Sequence, residues 1–144
     1  MLRWQTVIVF LPRANRFKFD AHEETLLKLL HRWRREAGQA TVPTIVVVSA
    51  CYSGSFATGK MAKPNRIVLT AARNDRPSFG CQVRRVYNFF DECLLGALPK
   101  SATWRAVANG SRECVRRMER ALGERPSEPQ AYFGAVVANL DVGF

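Results

Sequence analysis

Four β-branched apolar residues, Ile45, Val46, Val47 and Val48, stand in a row without a polar break. A strand with one wet face alternates apolar and polar residues. An unbroken run therefore reads as a strand covered on both faces, the situation of a parallel sheet in an α/β fold. The run ends in Ser49 and Ala50 and hands over to Cys51, Tyr52, Ser53, Gly54 and Ser55. In open α/β sheets ligands gather beyond the carboxyl ends of the strands. A thiol released there is a candidate nucleophile; the competing reading is a buried structural cysteine, which packs as a small hydrophobe.

The rest of the pattern agrees with such a fold. Residues 4–10 (WQTVIVF) read as a strand, and Pro12 to Lys18 as a basic loop. Asp20, with Glu23 three residues on, opens a helix whose apolar face is Leu26, Leu29, Leu30, Trp33 and Ala37, and Gly38 stops it. Strand, helix and strand make a βαβ unit with a right-handed crossover. Residues 56–65 read as a polar connection and 66–71 (RIVLTA) as a third strand. A loop over 73–81 leads to a helix at 86–98. A long amphipathic helix follows at 103–122, with Trp104, Val107, Cys114, Val115 and Met118 as candidate core positions. Residues 131–140 (AYFGAVVANL) read as the last strand. The expected architecture is an α/β sandwich with a mainly parallel sheet.

With 144 residues the chain has room for one domain and one core. Its 22 basic against 12 acidic residues give a net charge of +10. The arginines are scattered along helical patterns and are not interleaved with aromatic residues as a stacking platform requires, so no nucleic-acid partner is expected. No window has the apolar length of a membrane span, and the start lacks the layout of a secretory signal; as written, the chain reads as soluble, and cytoplasmic by default. The four cysteines form no CxxC pair and have no histidine at zinc spacing, so neither a metal nor a cofactor is expected. Cys93 and Cys114 fall in helical patterns as core residues, and Cys81 closes a loop. Disulfide pairing stays open, since it requires an oxidising compartment.

At this point four stretches in order, SACYSGS, IVLTAARNDRPSFGC, YNFFDECLLGAL and PSEPQ, resemble bacterial members of the legumain (asparaginyl endopeptidase) family of cysteine peptidases. The resemblance runs from Ile45 to the C-terminus. It implies a caspase-like three-layer α/β sandwich and a single peptidase domain over residues 1–144, lacking part of its N-terminal portion. It also implies a peptide or protein substrate. Cys51 matches the family nucleophile, whose reactive form is the thiolate, and its backbone N–H would contribute to the oxyanion hole. Ser49 matches a position lining the pocket for the residue before the scissile bond, where the plant and animal enzymes carry Glu. The loop 71–78 matches the segment that borders this pocket and pairs with substrate backbone. Arg73, Asp75 and Ser78 are its candidate substrate-binding residues, with a loop-stabilising ion pair the alternative for the first two and a turn-forming role for Ser78. PSEPQ, residues 126–130, is expected to set the entry to the last strand and to carry no chemistry.

The family mechanism uses a Cys–His dyad, with a His-Gly pair at the end of the preceding strand. Here WQTVIVF is followed by Leu11, Pro12 and Arg13, and no His-Gly occurs in the chain. His22, in the first turn of its expected helix, is the candidate base, because the helix dipole there favours neutral imidazole. His31 reads as a solvated helix residue. Arg13 stays protonated and cannot be a base. A missing segment, a degenerate peptide-binding homologue and an enzyme with a displaced base remain as three accounts.

Overall fold

The computed structural model describes residues 5–10, 28, 43–80 and 87–143. Strand β1 is Gln5–Phe10, β2 Thr44–Ser49, β3 Arg66–Thr70 and β4 Gln130–Phe133. Helix α1 is the single turn Ser55–Thr58, α2 is Phe89–Ala97 and α3 is Trp104–Leu122. The sheet order is β1-β2-β3-β4. β2 pairs parallel with β1 and with β3, while β4 pairs antiparallel with β3. The architecture is mixed α/β with a mainly parallel sheet.

β2 is central, and all six of its residues are buried. Ile45 and Val47 join Ile67 and Leu69 of β3 against Phe90, Leu94, Trp104, Val107 and Val115 of the two long helices. Val46 and Val48 face the other way and pack with Val68, Phe56, Ala57 and Met61. Successive side chains of a strand point to opposite faces, so the apolar run needs both covers. This is the physical content of Ile45 to Val48.

The helices end where their sequences say they should. The Asn88 side chain accepts a hydrogen bond from the Asp91 N–H at 2.7 Å and caps α2. The Thr103 hydroxyl accepts from the Ala106 N–H at 3.2 Å and caps α3. Gly123, at φ 68°, terminates α3 in the left-handed conformation. Within α3, Trp104, Val107 and Val115 are buried as their spacing predicts, and Cys114 and Met118 pack half-buried against the same core.

Two elements differ from the sequence reading. Residues 56–65 are not simply a polar connection: α1 and Met61 form the apolar cover of the second sheet face. The last strand stops at Phe133 instead of running to Leu140. There Gly134 lies so close to the carbonyl oxygens of Lys63 and Pro64 that a Cβ would collide with both. The Val136 N–H donates to the Pro64 carbonyl, turning the chain away. The segment beyond returns to α3, where Val137 and Val142 are buried in the main core. Of the helix expected to open at Asp20 only Lys28 is described, as helical and exposed; His22 and His31 lie outside the described residues, as do Arg13 and Cys81.

Cys93 and Cys114 form a disulfide between α2 and α3, with a Cα–Cα distance of 5.6 Å. This closes the question their spacing left open: they are core residues and are also covalently paired. Closing a loop of 21 residues restrains the unfolded chain by about 3 kcal/mol. Reduction should therefore lower the urea midpoint by an amount worth about 3 kcal/mol. The double variant Cys93→Ala/Cys114→Ala should unfold like the reduced protein and ignore reductant. A midpoint indifferent to reductant in the unmodified chain would show that the bridge contributes nothing.

Candidate active site

Beyond Ser49 the chain leaves the sheet through a tight turn. Tyr52 takes a positive φ of 60°, uncommon for a residue with a side chain. Three contacts hold it there. The Tyr52 N–H donates to the Arg76 carbonyl at 2.8 Å. The buried Ser53 hydroxyl donates to the Ala50 carbonyl at 2.7 Å and accepts from the Ala72 N–H at 3.3 Å. Gly54 is there for its size, since its own φ is an ordinary −60°. A Cβ at this position would sit 2.6 Å from the Asn74 nitrogen and 2.9 Å from the Arg73 Cα. The loop 71–78 therefore crosses directly over the turn.

That crossing brings Ser78 to Cys51. The Ser78 N–H donates to the Cys51 Sγ at 3.3 Å. The Ser78 Oγ lies 3.7 Å from the same sulfur, and the Sγ–H reaches the Ser78 carbonyl at 3.6 Å. Cys51 is half-buried and is the one free thiol among the described residues. Of the expected site residues that are described, Ser78 is the one in contact with the thiol.

Ser49 points to the helical face. Its hydroxyl accepts from the Asn88 side-chain amide at 2.8 Å and is hydrogen-bonded to the Asp91 carboxyl. Burial pushes the Asp91 carboxyl above the ordinary carboxylate value, against the opposing pull of the Ser49 hydroxyl and a backbone hydrogen bond at Asn88. Buried Ser49 and Asp91 and half-buried Asn88 thus form a polar cluster beginning two residues before the thiol. Asn88 and Asp91 escape a reading that treats YNFFDECLLGAL as a core helix. Their signal is the spacing of a cap residue and an acid three positions on.

Arg73 and Asp75 come together with a third group. The Arg73 guanidinium is bidentate to Asp75, at 2.6 Å and 2.9 Å, and donates to Glu128 at 2.9 Å. Its hydrogen bond holds the exposed Asp75 carboxyl down to about 2. Arg76 pairs with the other oxygen of Glu128 at 3.2 Å and donates to the Pro126 carbonyl at 2.8 Å. The Arg73 N–H also donates to the Ser127 carbonyl. Residues 126–130 thus clamp the loop as well as leading into β4. No group of His, Cys, Asp and Glu suited to a metal ion occurs among the described residues, and no described helix is long and apolar enough to cross a membrane.

A model of the Peptidase C13 family, the legumain family, matches residues 12–109. The chain belongs to this family. The Peptidase C13 match starts before the region of motif resemblance. It takes in Ser49, Cys51, the loop 71–78, Asn88 and Asp91, and stops before residues 126–130. A search of curated proteins finds no match.

The raised Asp91 carboxyl makes a pH-dependent prediction. Its protonated form is favoured by folding, so the stability it contributes is present at low pH and is lost as pH rises through its folded value. Asp91→Asn removes that loss. The variant should melt higher than the parent at neutral pH, and the gap should close as pH falls into the ordinary carboxylate range. Melting curves across that range give the test, and a gap that widens on acidification contradicts the assignment.

Proposed function

We propose that the chain is a legumain-type cysteine endopeptidase domain, one caspase-like three-layer unit over residues 1–144, with Cys51 as its nucleophile. The observation that carries this reading is the half-buried free thiol of Cys51 on a hydrogen-bonded turn past the carboxyl end of β2. Membership of the Peptidase C13 family supports the cysteine-peptidase chemistry.

In the proposed reaction the Cys51 thiolate attacks the scissile carbonyl carbon. The carbonyl oxygen takes the negative charge and is stabilised by the Cys51 backbone N–H. The intermediate collapses with cleavage of the C–N bond, and the amine leaves with a proton from the protonated base. Water then attacks the thioester, releasing the acid and restoring the thiol. His22 is the proposed base. The Ser78 N–H, aimed at the sulfur, holds it in place for the attack.

The substrate backbone is proposed to lie along the loop 71–78, with Arg73, Asp75 and Ser78 as its contacts. The side chain before the scissile bond faces Ser49. Behind Ser49 stands the Asp91 carboxyl, which favours side chains that donate hydrogen bonds. A second reading is a peptide-binding domain that does not cleave. It is favoured by the absence of any His-Gly pair, the histidines being followed by Glu23 and Arg32.

Labelling with a peptidyl acyloxymethyl ketone separates the two. Mass spectrometry should place the label on Cys51 alone, and Cys51→Ala should abolish it. A label on Cys81 in both proteins would sink the nucleophile assignment. His22→Ala should lower kcat/KM by about a hundredfold or more if His22 is the base. Peptide binding with no turnover in the parent would favour the non-cleaving reading.

A further inference from the structure

A cleft of about 280 Å³ opens between the outer surface of α3 and the segment 126–130. Its size is close to the lower end of ligand pockets, about 300–1,000 Å³, which suits a side chain better than a whole small molecule. Arg112 and Arg116, one helical turn apart, line it together with Pro126, Pro129 and Gln130.

The charges in this cleft are unequally matched. Glu128 also lines it, but its two oxygens are engaged by Arg73 and Arg76. Glu119 is buried, and one of its oxygens accepts the Ser127 N–H at 3.0 Å. Arg116 is paired with Glu113 on its own helix. Arg112 alone among these groups has no carboxylate partner among the described residues. Its Nε donates to the Pro129 carbonyl at 3.2 Å. That bond fixes the plane of the guanidinium and leaves four of its five N–H donors for a ligand.

We propose that this cleft is a docking site for an acidic side chain of a bound polypeptide, with Arg112 as the group that receives the carboxylate. Arginine presents its donors as a planar fork that matches a carboxylate, and the two prolines supply apolar contact for the stem of the side chain. A polypeptide is favoured over a free anion by the position of the cleft. Gln130 pairs with Thr70, the last residue of β3, so the cleft lies at the end of the sheet from which Cys51 is released. Glu128 is joined through Arg76 to the Tyr52 N–H, next to the thiol. A chain lying along the loop 71–78 therefore runs towards Arg112. The substrate class implied is acidic protein segments, drawn in by the net charge of +10. The proposal rests on the peptide-binding side of the functional reading and does not need Cys51 to react.

The test uses the full chain carrying Cys51→Ala, so that nothing is cleaved. A fluorescein-labelled peptide of alternating Glu and Gly is titrated by anisotropy at about 0.15 M salt, where long-range charge effects are largely screened. Its Gln-for-Glu counterpart serves as the competitor. Arg112→Gln should weaken binding about tenfold or more. Arg117→Gln removes the same charge from an exposed site outside the cleft and should change it less than about twofold. Gln130→Glu places a carboxylate in the cleft without touching Arg112 and should also weaken binding, which guards against a folding defect in the first variant. Arg112→Lys should recover part of the affinity. Equal losses with Arg112→Gln and Arg117→Gln would reduce the effect to bulk charge and overturn the site. So would equally tight binding of the Gln peptide, or the lack of saturable binding. If Cys51 proves inert to labelling while binding still depends on Arg112, the peptidase reading falls and this one stands.

Discussion

The burial of β2 on both faces is the constraint from which the site follows. A strand with Ile45 and Val47 on one side and Val46 and Val48 on the other can only sit between two apolar covers. It therefore lies inside the sheet, flanked by β1 and β3. Its carboxyl end must then leave the sheet abruptly, since the neighbouring strand allows no sideways path. The small residues Ser49 and Ala50, the positive φ of Tyr52 and the bare Cα of Gly54 make that exit. Cys51 is held by this geometry more than by any contact of its own.

Support for the turn comes in a chain from α3. Buried Glu119 accepts the Ser127 N–H, and the Ser127 carbonyl accepts the Arg73 N–H. The same loop presents the Arg76 carbonyl to Tyr52 and the Ser78 N–H to the sulfur. Each link is a hydrogen bond of a buried or half-buried group, and such groups are costly to leave unpaired. The other wall is organised separately. Asn88 both caps α2 and holds Ser49, while the disulfide one turn further along α2 ties that helix to α3. Position along α2 thus couples a covalent staple to the polar cluster beside the Cys51 thiol.

Much of this was legible in the residues, because it rests on periodicity and on caps. β2, β3, α2 and α3 stand within a few residues of where apolar spacing puts them. Cys51 follows from the strand that precedes it. What was illegible depends on contacts distant in sequence. A cysteine on a helix has the same spacing whether or not it is bonded, so Cys93 and Cys114 read as core residues whose pairing stayed open. Val136, Val137 and Leu140 continue the apolar pattern of a strand, and only the carbonyls of Lys63 and Pro64 against Gly134 end it. Ser49 reads as a small residue at a strand end, while its partners Asn88 and Asp91 come from a helix some forty positions away.

The ion pairs over the loop illustrate why contact lists do not translate into stability. Arg73, Asp75 and Glu128 are about two-fifths exposed, and pairs in that setting contribute little because solvent screens them. Against this, Glu128 is held at a φ of 54°, a conformation that side-chain-bearing residues rarely take and that costs on the order of 1–3 kcal/mol. The network therefore does little for the net free energy of folding. Its effect is directional: Glu128 faces both arginines at once, and that fixes where the loop 71–78 lies above the turn. Ser78 is anchored separately, its backbone N–H donating to the sulfur.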